Sequence, residues 1–407
     1  MLLSRGAQPV MVDSELRLLL VVSQLPYPVI NGEDLRVSEL ARRVAAVHDT
    51  EVLAYRGNDS ELREVSKWFK AVYLLERTPC PDYERTRLLR VLDAFRPSRM
   101  YQFDRLVYEQ LKQLLNKRKY DWIWIPSWQM MPYASQLGCG RVLLDVMDDG
   151  VLELIRQARC SRSAMEWLIT VKRLFVTFLF ERQYFSNAAC CSVVSEVDAR
   201  ALRRVCGRAK VMVVPNGVDS TYFSPLGLLE EYPSLIFEGN MSFGPNIDAI
   251  RYFCAEIWPI VKAHVPQTKL WIVGRNPAEE VLRLQDDAII VTGSVEDIRP
   301  YLDRASVFIC PMRQGAGVKN KILQAWAMGK PVVSTTIALG GLSAYPEKNI
   351  LTADAPDTFA EQTLRLLTDR SLRETLGRQG RQTVRQRHGW AEQSKLLMTV
   401  MEELSAH

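Results

Sequence analysis

Met312-Arg-Gln-Gly-Ala-Gly-Val-Lys-Asn-Lys-Ile-Leu-Gln-Ala-Trp-Ala-Met-Gly-Lys-Pro-Val-Val-Ser-Thr335 is the stretch that decides the fold. An apolar run at residues 306–310 leads into it, and two glycines, Gly315 and Gly317, open its loop. Residues 318–328 then carry a helical apolar pattern. Gly329 stands where a helix ends in a left-handed turn, Pro331 follows, and residues 332–335 read as a strand. Strand, glycine loop, helix, glycine stop and strand together make one unit of a parallel sheet. Glycines let backbone approach a ligand closely, and the free N–H groups of a helix's first turn favour an anion. Lys319 and Lys321 fall in that turn, where the helix dipole disfavours cations. A bound phosphate would offset this; a solvated lysine pair beside an ordinary turn is the plain alternative. The spacing matches neither Walker A nor G-x-G-x-x-G.

The same alternation runs outward in both directions. Further strands are expected at 235–238, 269–273, 288–292 and 350–352, with a helix at 246–264 and helical sequence from 357 onward. An earlier series places strands at 16–22, 51–55, 122–126, 141–146, 189–195 and 211–214, and helices at 34–47 and 152–185. Such alternation means a parallel sheet covered on both faces, here twice over, with a junction near residues 215–225. The expected fold is therefore α/β, with two doubly wound Rossmann-like domains. A last helix at 391–404 puts Leu396, Leu397, Val400 and Leu404 on one side, which needs a partner.

Composition agrees. A chain of 407 residues is long enough for two domains, and 47% hydrophobic with 24% charged residues excludes a disordered or fibrous chain. Mean hydropathy is −0.09. The most apolar stretch, 164–180, carries Glu166, Lys172 and Arg173 and is too short and too charged to span a bilayer. The net charge of +5 suits anionic ligands or an anionic membrane surface and is no nucleic-acid signature. Eight cysteines without a C-x-x-C pair read as reduced thiols of a cytosolic protein, and no signal peptide is evident. Histidine is scarce: His48, His264, His388 and His407, none of them after a strand at the expected cleft. This argues against an imidazole base and against Ser-His-Asp hydrolysis.

Residues 315–335 resemble the donor-site signature of the group 1 glycosyltransferases (family 4, retaining, GT-B fold). There a glycine loop leads into K-hydrophobic-L-E-A-x-A-x-G-x-P-V-V-x-T. Lys321, Leu323, Ala325, Ala327, Gly329, Pro331, Val332, Val333 and Thr335 match it. Residues 214–219 are similar to the family's interdomain P-N-G-V-D. Residues 237–246 are similar to F-x-G-x-M-x-x-x-P-N, and 292–301 to T-G-x-V-x-D-x-R-P-Y. The last two belong to a branch annotated among sugar transferases of exopolysaccharide systems of PEP-CTERM type.

The resemblance implies GT-B domains at 1–218 (acceptor side) and 219–388 (nucleotide-sugar side) facing a cleft, with 389–407 crossing back to the first domain. It implies transfer of a sugar, with retention, from a UDP-, GDP- or ADP-sugar to a saccharide, lipid-linked or other hydroxyl acceptor in polysaccharide or glycoconjugate biosynthesis. The nucleotide sugar is substrate; no cofactor, metal or nucleic acid is implied. The expected place is the cytoplasm, at the inner face of an anionic membrane, with contact through Lys112, Lys117, Arg118 and Lys119 and the apolar run near Leu174. The donor set is Gly239, Asn240, Ser294, Val295, Gly315, Ala316, Gly317, Val318, Lys319 and Gln324, with Lys321 and Arg313 stabilising the leaving group. The leaving phosphate can take the acceptor's proton, so that charge build-up on it is what Lys and helix N–H groups must stabilise.

Two departures matter. The family's E-x7-E falls at 316 and 324, where this chain has Ala316 and Gln324. The family's Arg and Lys after the second domain's first strand are also absent, since 240–246 is uncharged. Diphosphate charge then falls to Arg313, Lys319, Lys321 and helix N–H groups. These departures motivate a second reading, a catalytically weak GT-B protein that binds nucleotide sugar or a partner subunit. A Rossmann dehydrogenase is excluded by the lack of G-x-G-x-x-G after either opening strand.

On the acceptor side, the loop at 26–36 offers Asn31 and Gly32, the glycine allowing close approach of the domains. Arg36 either meets an anion or pairs with Asp34 or Glu39 on a solvated face. The segment 126–133 offers Ser127, with Trp128 and Tyr133 as sugar platforms or as core aromatics. Residues 145–150 put Asp148 and Asp149 at the cleft.

Overall fold

The computed structural model describes residues 15–29, 32–75, 104–147, 149–159, 163–207, 209–314 and 317–405. Four expected site residues, Asn31, Asp148, Gly315 and Ala316, lie outside the described residues.

The first domain's strands are β1 (Arg17–Val22), β2 (Asp49–Tyr55), β3 (Ala71–Leu75), β4 (Trp122–Ile125), β5 (Val142–Met147), β6 (Cys190–Val193) and β7 (Lys210–Val213). They form one parallel sheet in the order β3-β2-β1-β4-β5-β6-β7. The second domain has β8 (Ser234–Glu238), β9 (Lys269–Val273), β10 (Ile289–Gly293), β11 (Val307–Cys310), β12 (Val332–Ser334) and β13 (Leu351–Thr352). Its parallel sheet runs β10-β9-β8-β11-β12-β13. The central strands are continuous apolar runs because both faces are covered: every residue of β4, β6 and β11 is buried. β3 escaped the sequence reading. It is an edge strand, half-buried along most of its length, although its sequence, AVYLL, is a short apolar run.

Local chemistry broke one expected helix and widened another. The helix expected at 152–185 is two, Gly150–Arg159 and Ala164–Tyr184. Ser163 caps the second, its hydroxyl accepting from the Glu166 N–H. The helix expected at 246–264 is continuous but carries a π turn, Phe253–Ile257, just before Trp258-Pro259. Proline has no N–H to continue the regular ladder, and the turn absorbs the fault.

The helix Trp390–Ser405 returns to the first domain, where Trp390, Leu397 and Met401 join a core with Leu18, Leu40 and Val44. Trp122 Nε1 donates to Met401 O (3.1 Å) and Ser405 Oγ (2.9 Å). Its buried residues are Trp390, Gln393, Ser394, Leu397 and Met401; of the expected face Leu397 is buried, Val400 and Leu404 pack half-buried against the same core, and Leu396 is 40% exposed. Between the domains, the Val218 N–H donates to His388 O (2.8 Å), and Val218 bridges to Gly389. Among the described residues no helix is long and apolar enough to cross a membrane.

Candidate active site

In open parallel sheets a ligand sits where the strand order reverses, beyond the carboxyl ends. The first sheet reverses between β1 and β4, the second between β8 and β11. The loops after these strands face each other across a cleft. A cavity of about 710 Å³ lies there, lined by Val29, Gly32 and Leu35 from the first domain. From the second domain come Gly239, Asn240, Arg275, Ser294, Val295, Val318, Lys319, Lys321 and Gln324. An added Cβ at Gly32 would already meet Asn320 Nδ2 at 3.4 Å, so the glycine does mark a close approach of the domains.

The floor of the cavity depends on two glycines. Gly239 and Gly274 both have φ of +152°, and a Cβ on Gly274 would lie 1.7 Å from Gly239 O. The loops after β8 and β9 therefore touch backbone to backbone, and Arg275 O accepts from the Met241 N–H at 2.9 Å. This brings Arg275 into the cavity wall beside Asn240. Sequence reasoning missed it. The signal was available, since Arg275 follows a glycine that closes a strand.

Lys321 Nζ donates to Asn246 Oδ1 (2.9 Å) and lies 4.3 Å from the centre of the Phe237 ring. Burial pushes its pKa down, against the pull of Cys310 and Glu238, and burial likewise raises the pKa of Glu238. A cation held in so dry a place gains most from a ligand that supplies negative charge. Lys319 is the N-cap of the helix Asn320–Ala327 and provides no side-chain cap, so the helix's first N–H groups keep no side-chain acceptor there. Gln324 lies further along the same helix. It borders both this cavity and an adjoining one of about 470 Å³ that reaches Tyr222 and Trp390.

Arg313 is not brought to the cavity. Its guanidinium binds Asp248 (3.1 and 2.5 Å) and lies 4.3 Å from the centre of the Tyr252 ring, both in the helix Gly244–Tyr252. A charged partner and an aromatic face have claimed it.

Arg36 meets neither expectation. It is fully buried and bidentate to Asp145 (2.9 and 3.0 Å), and it donates to Asn216 Oδ1 (2.9 Å). Asn216 in turn donates to Asn320 Oδ1 (3.2 Å), so one network links the first sheet to the helix Asn320–Ala327. Removing one partner of such a pair costs about 3–5 kcal/mol. Ser127 is buried, its hydroxyl paired with Ser23 Oγ at 3.2 Å. Trp128 is half-buried, edge-on to Phe180 (centroids 5.2 Å apart). With Gly32, Met147, Gly317 and Val318 it also walls a cavity of about 280 Å³ between the domains. Met147 has φ of +57°, a strained backbone at the end of β5 that no sequence pattern announced. Tyr133 is a core residue whose hydroxyl accepts from the Asp104 N–H (2.8 Å), not a sugar platform. Asp149 is turned inward, 1% exposed, and burial pushes its carboxyl up to about 6. His388 is buried at the domain junction, away from the cleft lining.

A family model described as glycosyl transferase 4-like domain matches residues 31–217, and one described as glycosyl transferases group 1 matches residues 232–369. The chain belongs to the group 1 glycosyltransferases, and its two doubly wound domains are those of the GT-B fold. It is 30% identical over 130 residues to the lipopolysaccharide core biosynthesis glycosyltransferase LpsE of Rhizobium meliloti, covering 30% of this chain and 38% of that one. The chain matches little more than a third of the length of its curated relatives. Among solved structures, sucrose-phosphate synthase from Thermosynechococcus elongatus superposes with a TM-score of 0.68 at 18% identity, covering 96% of this chain and 99% of that one. HepE of Anabaena in complex with UDP gives 0.67 at 14% identity, covering 95% and 100%. At such identities these two show the fold.

Proposed function

We propose that the protein transfers a sugar from a nucleotide-sugar donor to a hydroxyl acceptor in bacterial polysaccharide or lipopolysaccharide assembly. One observation carries this reading: a single interdomain cavity gathers Lys319, Lys321, Arg275 and an uncapped helix N-terminus on one wall and Gly32 on the other. Three cations and a helix dipole suit a diphosphate. Arg275 offers the charge that Asn240 and its uncharged loop lack. The ligand of the HepE structure, UDP, supports a UDP-sugar as donor.

In the proposed step the bond from the sugar's anomeric carbon to the phosphate oxygen breaks, and a bond to the acceptor oxygen forms. The acceptor's proton passes to the leaving phosphate, and retention follows from attack on the departing face. Lys321, Arg275 and the helix N–H groups stabilise the charge that grows on the leaving group. Gln324 faces the donor's hydroxyls with one acceptor oxygen and two donors, and it lacks the charge-assisted bond a glutamate would make.

The protein acts at the cytoplasmic face of a membrane in this reading. The basic helix Arg105–Lys117 turns Leu111 and Leu114 inward, so it offers charge without an apolar face. Met165, Trp167, Leu168, Ile169 and Phe175 of the helix Ala164–Tyr184 are instead about half to two-thirds exposed, with Lys172 beside them. This patch suits the headgroup boundary of a bilayer.

The test is release of nucleotide from UDP-, GDP- and ADP-sugars, with and without a saccharide acceptor, for the wild type and Gln324→Glu. Turnover of at least one donor is expected, with tighter binding and faster turnover in the variant. Tight binding of a donor without turnover, unchanged by the glutamate, would favour the second reading, a nucleotide-sugar-binding subunit. The neutral amide at Gln324 is the observation behind that reading.

A further inference from the structure

A second cavity, of about 220 Å³, lies behind Trp128 between the helices Gly150–Arg159 and Ala164–Tyr184. It shares Trp128 and Val146 with the cavity of about 280 Å³ between the domains, so the two meet at that tryptophan. Leu154, Phe180 and Phe185 make its apolar wall, and Glu153, Glu181 and the exposed Arg173 supply its polar groups. Glu181 is 97% buried by its 3% exposure, yet its Oε2 has no hydrogen-bond partner, and Glu153 Oε2 is likewise buried and unpartnered. Buried polar atoms are nearly always hydrogen-bonded, because leaving one unpaired costs about 1–3 kcal/mol.

We propose that this cavity is a saccharide subsite that takes one uncharged, hydroxyl-rich ring of an acceptor whose reacting hydroxyl lies in the cleft. This rests on the glycosyltransferase reading above. Size decides against a larger group. Drug-sized ligand sites run from about 300 Å³ upward, and water occupies about 30 Å³, so there is room for one ring. An anion gains little there, since the Glu153 and Glu181 carboxyl groups face the space alongside Arg173. The aromatic and aliphatic wall suits the C–H face of a sugar, and hydroxyl groups both give and take hydrogen bonds. Glu181 can do the same: burial first, then the nearby Asp149, raises its pKa to about 9, so at neutral pH it keeps its proton. Glu153, held by Gln157 at 3.0 Å, accepts. Arg173 stands at the mouth as a further donor.

The experiment uses the full chain and four probes: methyl glycosides of glucose, galactose, mannose and N-acetylglucosamine. Binding is followed by saturation-transfer NMR, and affinity for UDP, GDP and ADP is measured in parallel. At least one glycoside should bind the wild type at millimolar concentration. Leu154→Trp, which fills the cavity, should weaken it at least about tenfold, and Glu181→Gln and Arg173→Ala at least about threefold, with UDP affinity unchanged in all. No binding of any probe to the wild type overturns the proposal, as does binding that all three variants leave intact. Should Leu154→Trp fail to fold, the other two variants decide alone. Failure of the wild type to bind any of UDP, GDP and ADP would count against the glycosyltransferase reading while leaving the glycoside result readable.

Discussion

Lys321 is a half-buried cation whose hydrogen-bond acceptor is the neutral amide of Asn246, and so its charge is available to a ligand. Lys321→Ala should lower turnover at least about tenfold, about 1.4 kcal/mol at the transition state. Arg275→Ala should raise the dissociation constant for UDP by a similar factor. Equal loss of turnover in Arg313→Ala would instead put that arginine back in the site. His388 makes a different prediction. Its Nε2 accepts from the Ser343 N–H (3.1 Å) and its Nδ1 lies 3.3 Å from Asn216 O, which defines the neutral Nδ1–H form. Burial chiefly, and Arg387, push its pKa below 6.5. The unfolded chain therefore binds the proton first as the pH falls, and the stability this histidine contributes is present above about 6.5 and lost below it. The loss is at most about 1.4 kcal/mol per pH unit. Thermal melts of wild type and His388→Gln should show a stability gap that narrows from pH 7 to pH 5. A gap that stays constant would contradict the assignment.

At the level of elements, the second-domain wall of the cavity rests on the contact of two strand-end loops. Gly274→Ala forces a methyl group to within 1.7 Å of the Gly239 carbonyl oxygen, and neither backbone can yield without moving its strand. We expect a loss of about 2–4 kcal/mol in stability and loss of UDP binding. Gly244→Ala, with open space around it, should stay within about 0.5 kcal/mol. Urea melts and UDP titration of both variants check this, and a stable, UDP-binding Gly274→Ala would refute the role given to the contact. The elements themselves were largely legible. Continuous apolar runs bounded by glycine or proline gave the central strands, because a strand covered on both faces must be apolar throughout. The apolar run of the half-buried edge strand β3 is flanked by Lys70 and Glu76 rather than by glycine or proline, and the break between Gly150–Arg159 and Ala164–Tyr184 hung on the cap at Ser163, which periodicity does not weigh.

For the whole molecule, the exposed apolar residues of the helix Ala164–Tyr184 and a net charge of +5 predict binding to an anionic surface. The protein should float with phosphatidylglycerol vesicles at low salt and less so at high salt. The pair Trp167→Ser and Leu168→Ser should reduce the bound fraction several-fold. Equal flotation of this variant, or none by the wild type, would remove the patch from the account.

The sequence by itself determined the two doubly wound domains, the glycine loop before Lys319 and Lys321, and the family. All of these are written in local spacing: a buried strand, a turn and a helix start each declare themselves within a few residues. Only the tertiary structure decided who meets whom. Arg36 and Asp145 pair across 109 positions, Asp248 draws Arg313 away from the cleft, and two touching glycines carry Arg275 into it. Burial then pushed the pKa of Lys321 down and those of Asp149 and Glu181 up. A side chain's reach and the dryness of its surroundings are properties of neighbours distant in the chain, and no periodicity along the sequence records them.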